Sequence, residues 1–204
     1  MARTPLGPPS RSGLTFAAQG RGRELTFNAT LLPLERLVRE GYLVGRDPVR
    51  SPLRKRRHLY VTPQIADLLD GAGPPVGFPQ VDAYRVTDTY MIGHLMCVSF
   101  TMETSPRRAF PELERLEGLD EAWVMCFRKP RPGWRLLGRF MARDHFVALA
   151  AYARDALKTR KRYEQAAQRM IDQWRAMFGA IEPFRGDNPA AYLSGVVRDV
   201  SFQA

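Results

Sequence analysis

Arg135 and Arg139 fall in the run WRLLGRF (134–140), whose spacing predicts a strand with Trp134, Leu136 and Phe140 on one face. Arg135, Leu137 and Arg139 then share the other face, because successive side chains in a strand point to opposite sides. Guanidinium groups are planar, bidentate donors that suit phosphate, so such a face is a candidate cradle for a polyanion. A solvated face of a half-buried sheet accounts for the same residues equally well. Further cations precede and follow this strand. Arg128, Lys129 and Arg131 stand in the turn before it, and Lys158, Arg160, Lys161 and Arg162 cluster at the start of a predicted helix. Cations at a helix start oppose its dipole at about 0.3–1 kcal/mol each. Phosphate binding would explain that conflict, and exposure to water would also make it tolerable.

Other residues with usable chemistry are fewer. His145 is a candidate acid or base because imidazole titrates near neutrality, with a structural histidine as the alternative. Tyr163 lies on the apolar stripe of its helix, so it is either core with its hydroxyl at the rim or a working hydroxyl. Arg154 has Asp155 and Glu164 in reach as ion-pair partners, and His58 reads as part of the basic run beside it. Glu112, Glu114 and Glu117 have helix-face spacing rather than that of a glycosidase pair. The sequence carries no Gly-rich phosphate loop, nucleophile elbow or metal-ligand cluster, and no cofactor or metal is expected.

These residues must be held by a meander and a helix. AWVMCFR (122–128), WRLLGRF (134–140) and HFVALAAYA (145–153) are strand-like and joined by short turn-forming segments, which predicts consecutive antiparallel pairing. The clearest helix is predicted over 160–178, where Tyr163, Ala166, Ala167, Met170, Ile171 and Trp174 recur at helical spacing. Thr159 is its expected N-cap and Gly179 its stop. Upstream, 58–62 predicts a strand and 63–70 a short helix with Pro63 in its first turn. A short helix is expected over 33–43, ended by Gly41, and a short strand over 24–30. The mixed signals of 81–102 resolve to a helix on the stripe of Ala83, Tyr84, Thr87, Met91, Leu95 and Val98.

Bulk properties narrow the class. The 204 residues are long enough for a real core, and 45% hydrophobic with 25% charged residues is ordinary for a globular chain. The balance of 31 Lys+Arg against 21 Asp+Glu, a net of +10, is not ordinary, and only four of the cations are lysines. Arg-rich coding or a nucleic-acid partner would each produce it. The charge is segmented: 12 basic and 4 acidic residues over 1–57, 1 and 5 over 58–106, 16 and 9 over 107–178. Cys97 and Cys126 have apolar neighbours and no CxxC partner, which fits buried thiols in a reducing cytoplasm. No apolar run reaches the roughly 18 residues of a membrane span, and no hydrophobic signal core opens the chain.

The order of elements resembles the RelE/HigB superfamily of toxin ribonucleases over 58–178, best over 110–178. HLYVTPQIADLL resembles that family's opening strand and helix, and PELERLEGLDEAWVMCFRK its loop into the sheet. GWRLLGRF resembles its Trp/Tyr-Arg strand, and HFVALAAYARDALKTRKRYEQAAQRM its last strand, basic loop and terminal helix. The basic front extension and the 180–204 tail have no counterpart there. The resemblance implies an α+β fold, a small antiparallel sheet packed against helices. It also implies metal-independent cutting of mRNA by 2′-OH attack on the adjacent phosphate. Carried over by position, Arg135 corresponds to a phosphate-binding arginine, Arg154 to the transition-state arginine and Tyr163 to a stacking or proton-relaying tyrosine. Arg128, Lys129, Arg131, Arg139, Lys158, Arg160 and Lys161 are the expected nucleic-acid contacts. The implied partners are RNA or the ribosome, and an antitoxin protein. A non-catalytic binding module, or a toxin-fold inhibitor of a protein such as a topoisomerase, is the alternative. The expected organisation is a disordered basic arm over 1–23, an extension over 24–57, the α+β domain over 58–178 and a tail over 179–204.

Overall fold

The computed structural model describes residues 31–49, 55–72, 77–100 and 110–200. The expected basic arm, the strand over 24–30 and most of the basic linker over 50–57 lie outside them. The meander forms as its short turn-forming connections require: β5 (Trp123–Phe127), β6 (Trp134–Ala142) and β7 (His145–Ala153) pair antiparallel in sequence order. Gly138 allows β6 and β7 to close on each other. A Cβ there would stand 2.2 Å from the Val147 carbonyl oxygen, and the register shifts between Leu137 and Gly138.

Five more short strands extend the meander on both sides. They are β1 (Val44–Arg46), β2 (His58–Val61), β3 (Met96–Ser99), β4 (Leu113–Arg115) and β8 (Val197–Asp199). The sheet order is β1-β2-β7-β6-β5-β4-β3-β8, and the pairs β2–β7, β3–β4 and β3–β8 are parallel. The expected small antiparallel sheet is therefore wrong: this is an eight-stranded mixed sheet curled into a half-barrel. Of these, β2 falls in the strand expected over 58–62; β1, β3, β4 and β8 were not expected, and at three or four residues each they are too short for alternation to be read.

Helices cover both faces. On one, α2 (Pro63–Asp70), α3 (Gln80–Met91) and the short α5 (Pro189–Tyr192) pack over Leu59, Val61, Leu136, Phe140 and Phe146. On the other, α1 (31–39) and α4 (Arg160–Phe178) cover Val124, Leu137, Val147 and Leu149. This double cover explains why β5 is buried at every position. The helix predicted over 81–102 stops at Met91. Gly93 follows in the left-handed region (φ 75°), and Met96–Ser99 beyond it forms β3.

The 160–178 helix has the expected caps. The Thr159 side-chain oxygen accepts from the Arg162 backbone N–H, and Gly179 follows at positive φ. Its apolar stripe lies along β6: Tyr163 is beside Arg135, and Trp174 is 5.5 Å from the Arg139 guanidinium. α2 likewise starts on Pro63 and ends on left-handed Gly71.

Candidate nucleic-acid interface

One end of the sheet collects most of the expected cations. There β5 ends, β6 begins and β7 ends, joined by the loop 128–133 and followed by a 3-10 turn (Arg154–Leu157) into α4. The loop closes on Gly133, whose φ is 81°. A Cβ there would sit 2.2 Å from the Phe127 carbonyl oxygen, so a side chain cannot be accommodated without moving backbone. The Arg154 N–H donates to the Gly133 carbonyl (2.9 Å), fastening the start of the 3-10 turn to the loop.

Beneath this end lies a buried polar cluster. Arg135 sits opposite Cys126 on β5 and Tyr152 on β7, with its side chain under α4. Its guanidinium donates to the carbonyls of Trp134 (2.9 Å) and Phe127 (3.4 Å), and the Tyr163 hydroxyl is its side-chain hydrogen-bond partner. Burial works against the Arg135 charge, but the ionisable neighbours Cys126, Tyr163 and Glu114 outweigh it and raise the pKa. Burial first, then Cys126 and Glu114, pushes the Tyr163 hydroxyl far above its ordinary value; Arg135 and Arg154 pull the other way. The Tyr163 hydroxyl is therefore held in its protonated form at neutral pH. The Cys126 thiol is also pushed up, chiefly by burial and then by Glu114, to which it donates at 3.3 Å.

Arg135, Arg154 and Tyr163 thus lie near one another at this end of the sheet. Arg135 and Tyr163 are buried in this arrangement, while Arg154 is half-buried and donates to the Leu157 carbonyl (2.8 Å). Arg128 joins the cluster from the loop, donating to Glu114 (2.6 Å) and to the Pro111 carbonyl (2.8 Å). Its guanidinium lies 5.2 Å from the centre of the Phe110 ring. The loop backbone is held from the opposite face, where the Asp82 carboxylate accepts from the N–H groups of Arg128 (2.6 Å) and Lys129 (3.1 Å). Burial of Asp82 opposes its charge, but these two N–H groups and Arg85 keep its pKa lowered.

Around this frame the remaining cations reach water. Lys129, Arg131, Lys161 and Arg162 are exposed and have no ion-pair partner among the described residues. Lys158 pairs with Asp155 (3.4 Å) and Arg160 with Glu164 (2.7 Å), in pairs exposed enough to be worth little. The first turn of α4 contains no acidic residue.

Two expected residues are elsewhere. Arg139 does share a sheet face with Arg135, but that face is covered by α4 and Arg139 is 1% exposed. It pairs with Asp120 at 2.7 Å under Trp174, and its Nε has no hydrogen-bond partner among the described residues. His145 opens β7 at the opposite end from Arg154, roughly 30 Å away at about 3.3 Å per strand residue. There it stacks on His58 with ring centroids 4.4 Å apart.

Glu114, Cys126, Asp82 and Phe110 are parts of this end that the sequence reading did not assign. Glu112 and Glu114 flank Leu113 in strand-like alternation, and that pattern was the available signal for a strand instead of a helix face. Nothing local links Asp82 to a loop 46 residues downstream. No helix among the described residues is long and apolar enough to cross a membrane, and no three His, Cys, Asp or Glu side chains among them are grouped to hold a metal. No protein-family model matches this chain, and no curated protein or solved structure matches it.

Proposed function

We propose that this chain binds nucleic acid through the cationic lip formed by the loop 128–133, Arg154 and the first turn of α4, without cutting it. The observation that carries this reading is the division of labour at that end of the sheet. Lys129, Arg131, Lys161 and Arg162 are exposed and unpaired among the described residues, while the groups suited to chemistry are buried and engaged. Arg135 is buried with its Nη1 donating to two carbonyls, and the tyrosine beside it keeps its proton. Cations placed against the helix dipole gain a reason if phosphates complete the site. The test compares affinity for a labelled oligonucleotide between the wild type and a variant with Lys129, Arg131, Lys161 and Arg162 changed to Gln. A control variant changes the exposed Arg36, Arg39 and Arg198, which lie on α1 and β8. Loss in the first and retention in the second supports the lip; equal loss in both refutes it.

Metal-independent cleavage of RNA is a second reading, favoured by one observation: Arg135 and Arg154 both bear on the Tyr163 hydroxyl. The tyrosine could act only as a proton donor, with Arg154 offsetting charge on phosphate. RNA that stays intact with excess wild-type protein in EDTA excludes this reading. Cleavage abolished by Arg154→Ala, in a variant that keeps the wild-type unfolding midpoint, would establish it.

A further inference from the structure

Phe110 is 68% exposed, a large apolar ring left in water beside the cationic lip. Single exposed apolar residues are common on proteins and need no explanation by themselves. Phe110 differs in being held. Arg128 lies 5.2 Å from its ring centre, and that guanidinium is fixed by the Pro111 carbonyl (3.2 and 2.8 Å) and the Glu114 carboxylate (2.6 Å). With Nε and Nη2 engaged in this way, Arg128 is held against the ring. The next residue begins the exposed part of the loop, so Lys129 and Arg131 follow Arg128 within about 10 Å of chain.

We infer that the lip takes single-stranded rather than duplex nucleic acid, with Phe110 as a platform on which one base stacks and Lys129 and Arg131 on the flanking phosphates. This rests on the nucleic-acid reading above and adds the class of ligand. An aromatic face beside a row of cations is the pairing that holds single strands, because every base offers a π-face whatever its identity. A duplex hides those faces within its own stack, so a rigid surface ring gains nothing from it without unstacking. The cations recognise both forms; the ring recognises only the open one.

The experiment uses the full chain and fluorescence anisotropy with four probes: a single-stranded RNA, the same sequence as single-stranded DNA, a duplex, and inorganic polyphosphate. The expected order is both single strands tighter than duplex, with polyphosphate weakest. RNA above DNA would show that the 2′-hydroxyl is also read, and parity that it is not; either supports the stacking site. Phe110→Ala should weaken single-strand binding roughly tenfold or more and leave duplex binding unchanged. Phe110→Trp should restore it, with indole fluorescence quenched on binding. Because no charge changes, the salt dependence should match wild type, a readout that a general loss of structure would not preserve. Duplex or polyphosphate bound as tightly as single strands, or a Phe110→Ala variant of unchanged affinity, overturns the stacking site while leaving the cationic lip standing. No binding of any probe at low salt overturns both.

Discussion

The stacked histidines far from the lip make a measurable prediction about stability. His58 opens β2 and His145 opens β7, in direct register, with ring planes 11° from parallel and Tyr60 6.3 Å from each ring. Burial, then the His145 ring and Lys55, lowers the His58 pKa from 6.5 to about 4; Asp144 and Asp47 oppose this without reversing it. The unfolded chain therefore binds more protons than the folded one between pH 6.5 and about 4. The neutral ring's contribution is intact above pH 6.5 and is lost as pH falls towards 4. The full displacement would correspond to about 3 kcal/mol, but His58 is partly exposed and water screens it, so on the order of 1–2 kcal/mol is expected. His58→Phe keeps a ring in the stack and removes the proton site. Urea unfolding of both proteins at pH 7.0, 5.5 and 4.5 isolates the effect, since the carboxylates they share cancel in the difference. The variant should gain about 1–2 kcal/mol relative to wild type between pH 7.0 and 4.5. Parallel stability profiles, with a constant gap at all three pH values, would refute the argument and show that His58 titrates normally in the folded chain.

Four further substitutions, at three positions, test the packing elsewhere. Arg139→Ala removes a buried guanidinium from Asp120 and opens a cavity under Trp174, which should cost about 3 kcal/mol by chemical denaturation. Arg139→Met fills the space without the unpartnered Nε, so it should cost less than about 1 kcal/mol or stabilise the chain. Gly138→Ala drives a Cβ against the Val147 carbonyl and to within 2.9 Å of Ala148 Cα, and should lower stability by about 3 kcal/mol with an unchanged urea slope. Asp82→Ala deletes a negative charge yet should weaken oligonucleotide binding, because it frees the loop that carries Lys129 and Arg131. Tighter binding in that variant would show that charge alone governs the lip.

The sequence was most legible where a pattern ran long enough to declare its period. β5 to β7 and α4 emerged with their turns, the Thr159 cap and the Gly179 stop because apolar runs bounded by turn formers and an amphipathic stripe persist there. Even the shared face of Arg135 and Arg139 followed from alternation. What covers that face did not, although AWVMCFR is apolar on both sides and so announced a sheet buried on both. The parallel partners of β7 and β3 are strands of three or four residues that take their place from tertiary packing, with no turn to mark the pairing. The same holds at the lip. Its cations were visible as a cluster of letters, whereas the Asp82 and Glu114 anchors depend on contacts across the sheet and between distant segments.

The salt dependence of oligonucleotide affinity tests the cationic lip most directly. Each phosphate neutralised on a single strand should contribute about 0.7 to the slope of log K against log salt. If Lys129, Arg131, Lys161 and Arg162 each meet one phosphate, changing all four to Gln should flatten the wild-type slope by about 3, with little change in the unfolding midpoint. A quadruple variant with the wild-type slope and affinity would contradict the assignment and move nucleic-acid binding, if any, to another surface.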